Sequence, residues 1–273
     1  MRRVEKITKY GRDQYAFLEA SEIPALMRQF PRSARGGGWY GDTSEGLMRK
    51  AELGDNTLVA ESEKFLASIE DQIPLSRGWR NVDDVVGAIP NVPAFLAGHP
   101  QHMRRRERTA RDNAPLMIYM DLTSSAMIDA KDVQKRGIVL LALVRMLVEH
   151  RPVELWVGTS KGESRRYGGG VSGTVAWRID TAPMDLARAA YHIGSSAMSR
   201  GFGYGLDDSL HQTGGGWPFG DYMSHRHFEK RLRDVVDFGE LLYIPPIYGN
   251  DELVDKPVQW LKRVMATYVK EEA

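Results

Sequence analysis

The stretch from Pro115 to Val157 limits the possible folds more than any other part of the chain. A short apolar run, Leu116 to Met120, stops at Asp121. A Thr/Ser-rich turn follows, then a long apolar helix, a Pro stop and a second apolar run from Val153 to Val157. Strand, helix and strand in that order form the unit of a parallel sheet, whose crossover needs a dozen or more residues. The helix should begin near Asp129, with that carboxylate accepting a backbone N–H. Its apolar residues from Ile138 to Val148 go nearly all the way round, so it should be buried on several sides. Gly137 inside it points to close packing against a neighbour, at a modest cost in helix propensity.

The flanking elements extend the pattern. TVAWRI, Thr174 to Ile179, reads as a strand that follows the previous one without a helix between them, hence antiparallel. A helix from Met184 to Ile193 comes next, with Thr181 as its expected cap. Leu241 to Ile244 is the last strand, and a helix with Pro257 in its first turn closes the order. Upstream, Ser44 to Leu53 and a segment from about Thr57 read as helices, with Gly54 as the left-handed stop between them. From Leu75 to Pro115 the signals weaken, and the basic run from Met103 to Arg108 reads as a loop. The expected class is α/β, a Rossmann-like and mostly parallel sheet with one antiparallel strand. Residues 1–80 are expected to be a helical N-terminal extension and 81–273 the α/β domain.

Composition excludes several classes. With 273 residues, 42% hydrophobic and 27% charged, the chain can bury a sizeable core. No apolar run reaches the length of a membrane span, and the N-terminus lacks the apolar segment of a signal peptide. These features favour a cytoplasmic protein with no membrane partner. The absence of Cys removes disulfides, thiolate metal sites and Cys nucleophiles. A net charge of +1 exerts no global pull toward nucleic acid.

At the carboxyl end of the first strand, Asp121, Thr123 and Ser125 place three oxygen-bearing side chains where open α/β sheets put their ligands. Hard cations take such oxygens, and Mg²⁺ tolerates one carboxylate with hydroxyls and water. The same residues equally suit a turn that satisfies its own backbone N–H groups. With the element order, the Asp-x-Thr-x-Ser turn resembles the von Willebrand factor A fold. That resemblance implies a weak Mg²⁺ or Mn²⁺ site built from Asp121, Thr123, Ser125 and Thr181, and a protein partner docking there. The family's later Asp has no clear counterpart: the last strand ends in Pro245-Pro246, and Asp251 lies further along. WYGDTSEGLMRKAELGD, VPAFLAGHPQHMRRR and MDLARAAYHIG also resemble a family of tailed-bacteriophage proteins, which implies work in the cytoplasm of an infected bacterium.

Two other constellations bear on function. Arg104, Arg105 and Arg106, and Arg165, Arg166 and Tyr167, are candidates for binding nucleic acid or an acidic partner: Arg forks suit phosphate and carboxylate, and basic loops carrying aromatics are the combination that single-stranded nucleic-acid binders use. His225, His227 and Glu229 suggest a metal site, but on a helix the two rings diverge by about 200°. No catalytic constellation is identifiable, and a metal-dependent hydrolase would need a second carboxylate and a base beside Asp121. The leading expectation is a non-enzymatic binding module. A single-strand-binding accessory protein is the alternative.

Overall fold

The computed structural model describes residues 7–10, 13–29, 44–69, 71–73, 79–108, 115–125, 127–161, 173–203, 205–206, 229–230, 232–234 and 237–269. Its strands are β1 (Ile7–Tyr10), β2 (Asp13–Glu19), β3 (Trp79–Asp84), β4 (Ile89–Pro90), β5 (Met103–Arg108), β6 (Leu116–Asp121), β7 (Val153–Lys161), β8 (Gly173–Ile179) and β9 (Glu240–Ile244). Its helices are α1 (Ile23–Gln29), α2 (Ser44–Leu53), α3 (Asn56–Ile69), α4 (Val92–Leu96), α5 (Ala130–His150), α6 (Leu186–Gly194), α7 (Glu252–Asp255) and α8 (Pro257–Tyr268).

Six strands form the main sheet in the order β1-β2-β8-β7-β6-β9. β6 lies between β7 and β9 and runs parallel to both. β8 returns antiparallel to β7, and β2 then runs parallel to β8. The result is a Rossmann-like α/β fold. Alternation along each strand separates two apolar faces. Leu116, Ile118 and Met120 join Leu155, Val157, Val175 and Trp177 in the larger core cluster, which also contains residues of α2, α3, α5, α6 and α8. Met117 and Tyr119 point the other way, with Tyr15, Phe17, Trp156 and Phe238. By the same alternation, Asp121 leaves the sheet on the Tyr119 side.

Several expectations need correction. The segment 1–80 is not a purely helical extension, because β1 and β2 belong to the main sheet. Tyr15 and Ala16, on β2, are fully buried. The propensity signal there was weak because burial on both faces removes the polar–apolar contrast on which strand patterns depend. β2 runs parallel to β8, so these two strands both run opposite to β6 within the mostly parallel sheet. The basic run is strand β5, not a loop. It pairs with β3 and β4 in a separate three-stranded antiparallel sheet.

Two caps also differ from expectation. Asp129 stands at the N-cap of α5, but its side chain makes no capping bond. α6 is capped by Asp185, whose carboxylate accepts from Arg188 N at 3.0 Å. Thr181 lies before it in the chain and caps nothing.

Gly54 does end α2 in the left-handed region, at φ +84°. A Cβ there would also stand 2.3 Å from the Ala187 carbonyl carbon, so α2 and α6 approach as closely as they do only over glycine. Behind that contact, Trp177 Nε1 donates to Nδ1 of the fully buried His192 at 2.9 Å. Burial lowers the His192 pKa from 6.5 to about 4, against a smaller opposing effect of the Ala51 backbone. Over that window the unfolded chain takes up a proton that the native state refuses. Stability from this group is therefore complete above about pH 6.5 and falls as pH drops toward 4, by up to roughly 3 kcal/mol. Urea midpoints followed from pH 7 to 4.5 in wild type and His192→Gln should show a steeper decline for wild type. Parallel profiles would exclude His192 as the cause.

Candidate functional site at the carboxyl rim of the sheet

Three loops meet at the rim: residues 121–129 after β6, the end of β7, and residues 245–251 after β9. They are stitched together by main chain. Leu122 N donates to Gly158 O at 2.7 Å, Ile247 N to Thr123 O at 3.0 Å, and Ser125 N to Ile247 O at 2.9 Å. Ser124 and Ile247 form a parallel bridge that continues the β6–β9 ladder past Pro245 and Pro246.

Within this frame the motif residues have local tasks. Asp121 is 1% exposed, and its Oδ1 accepts from Thr123 N at 2.8 Å. The Thr123 hydroxyl accepts from Ser160 N at 3.0 Å and faces Ser160 O at 3.3 Å, fastening the turn to β7. Ser125 Oγ accepts from Met127 N at 3.3 Å. Burial raises the Asp121 pKa, opposed by hydrogen bonds from Thr123 and Ser160 and by the charge of Arg136. A carboxyl raised in this way stabilises the fold most below its ordinary pKa and least at high pH, opposite in sign to His192.

Two buried arginines complete the rim, and sequence reasoning had missed both. Arg136, on the first turns of α5, donates to Asp121 O at 3.2 Å and to Pro245 O. Its Nε lies 2.8 Å from Asp251 Oδ2. The other Asp251 oxygen caps α7 by accepting from Leu253 N at 2.8 Å. Arg200 sits on a π-helical turn, Met198–Gly203, and donates to Ser124 Oγ at 3.2 Å, to Ser125 O at 3.0 Å and to Ile128 O. An arginine two residues ahead of the apolar run Ile138–Val144 is the signal available for Arg136. Arg200 lay in a Gly-rich segment with none.

The geometry removes one member of the expected ligand set. Thr181 Oγ1 donates to Val153 O at 2.5 Å, at the opposite, amino edge of β7. Asp121 pairs in register with Gly158, five residues along that strand. At about 3.3 Å per residue this separates the two by roughly 16 Å. The Thr123 hydroxyl is engaged with Ser160 on β7 and the Ser125 hydroxyl with Met127 N, and the Arg136 guanidinium adds a positive charge at this end of the sheet. These residues do not fit the divalent cation that the motif suggests. No cluster of three metal-ligating carboxylate or imidazole side chains occurs among the described residues. Adding millimolar Mg²⁺ or Mn²⁺ should move the melting temperature of wild type by less than about 1 °C, a far smaller effect than a site-specific ligand held well above its Kd. A larger rise that disappears in Asp121→Asn would restore the metal.

The basic candidates are partly accounted for. Arg104 pairs with Asp83 at 3.3 Å and Arg105 with Asp84 at 3.1 Å, both at exposed positions. Arg106 lies on β5 beside them, and its side chain is outside the described residues, as are Arg165, Arg166, Tyr167, His225 and His227.

A Rossmann-like α/β protein with a polar, arginine-locked carboxyl rim is the class that fold and site define. Within it, a family model described as Domain of unknown function (DUF7192) matches residues 3–267, and the chain belongs to that family. No curated protein and no solved structure matches it. Among the described residues no helix is long and apolar enough to cross a membrane.

Proposed function

We propose that this chain is a non-enzymatic binding module that engages a protein partner at the carboxyl rim of its sheet. The observation behind this reading is the contrast between the rim's rigid base and its exposed tip. Main-chain stitching and the two buried arginines fix the loops, while Met127 is 89% exposed and Tyr248 40% exposed on those same loops. Met and Tyr are enriched in partner interfaces, and a preorganised loop loses little entropy on binding. In this reading the positive charge beside Asp121 comes from Arg136 and the divalent cation of a von Willebrand A-like site is not needed. A bacteriophage origin, and action in the cytoplasm of the infected host, belong to the same proposal.

The test uses the purified chain as bait in extract from cells where it naturally occurs. A partner retained by wild type should be lost with Met127→Asp and with Tyr248→Ala, each at least about tenfold weaker. Equal retention by wild type and both variants would exclude the rim.

A further inference from the structure

The three-stranded sheet β3-β5-β4, with α4, forms an arm that the rim does not use. None of its described side chains is buried. Yet six of the nine large apolar side chains exposed among the described residues lie here: Val85, Val86, Ile89, Val92, Phe95 and Leu96. Val92, Phe95 and Leu96 are spaced i, i+3, i+4 on α4 and so share one helix face. Their exposures are 56%, 61% and 78%. An apolar cluster this dense marks an interaction surface, because leaving it in water forgoes the burial that stabilises the rest of the chain.

The occupant that fits is a second copy of this chain, and we infer that the arm is a homodimerisation element. Area supports this. The six side chains expose on the order of 700 Å² per chain, so two copies face to face bury roughly 1,400 Å², within the range of specific protein interfaces. The inference is independent of the rim, since it needs neither Met127 nor Tyr248.

Sedimentation velocity over a low- to high-micromolar range tests it with the full chain. Wild type should shift from monomer to dimer. Phe95→Glu should weaken the dimer at least about tenfold, and so should Val86→Lys, with wild-type melting temperatures because both positions are solvent-exposed. The chain has no Cys. Leu96→Cys therefore gives a single attachment point for a nitroxide, whose short-range coupling between copies should disappear on dilution with unlabelled protein. A wild type that stays monomeric throughout overturns the inference. So does a dimer that both charged variants leave unchanged. A monomer that floats with lipid vesicles would assign the face to a membrane, and likewise overturns it.

Discussion

Arg136→Met should destabilise the protein by roughly 3–5 kcal/mol, the cost of breaking a buried ion pair by removing one partner. The guanidinium is 2% exposed and Asp251 only 11%. Without it Asp251 keeps a largely buried charge, and the carbonyls of Asp121 and Pro245 each lose a donor. Arg136→Lys should recover little, because one ammonium cannot reach three acceptors set in a planar fork. Asp251→Asn alone leaves the guanidinium unpaired and should also be costly. Arg136→Met with Asp251→Asn should cost less than the sum of the two, since the second change removes the orphaned charge. Urea unfolding of the four proteins measures this. A loss below about 1 kcal/mol in Arg136→Met would mean that water replaces the guanidinium, and that the rim is not locked as described.

The second large effect is expected far from the rim, where α5 crosses α6. Gly137→Ala replaces a poor helix former with the best one, worth about 1 kcal/mol in an exposed helix. Here the sign should reverse. A Cβ on Gly137 would stand 2.3 Å from Gly194 Cα and 2.7 Å from Gly194 N. Those atoms are backbone, so the helices themselves must part, and the fully buried Leu140, Leu141 and Ile193 lose packing with them. A net loss of about 1–3 kcal/mol is expected. Gly194→Ala is the control, because its added Cβ meets Leu58 Cδ1 at 3.3 Å, the mobile end of a side chain. It should be milder. If Gly137→Ala unfolds at the wild-type urea concentration, the close crossing is wrong.

The same two residues show how unevenly the sequence reports on structure. Gly137 was legible because a glycine inside an apolar helix conflicts with propensity, and conflicts of that kind have few remedies besides close packing. Arg136, one residue earlier, carries no local pattern that sets it apart from any other polar helix position. Only its placement beneath Pro245 shows that it carries the rim. Asp251 stands well past the end of β9, too far for a local pattern to join the two. The bridge from Ser124 to Ile247 carries the chain along the rim to reach it.

Local patterns were enough to specify the strand–helix–strand unit from Leu116 onward, the antiparallel return of β8 and the helices α2, α3, α5 and α6. Each of those elements is a continuous apolar run or a helical stripe bounded by Pro, Gly or capping residues, which a short window of sequence displays. Long-range pairing decided the rest. β2 enters the sheet through its partner β8, which follows more than 150 residues later. Thr181 goes to the amino edge because β8 runs antiparallel and delivers it there. Arg136 reaches the main-chain oxygen of Asp121 because α5 folds back over the strand that precedes it. A sequence records which side chains are available at a turn. Which charge arrives to meet them is settled only when separate segments pack.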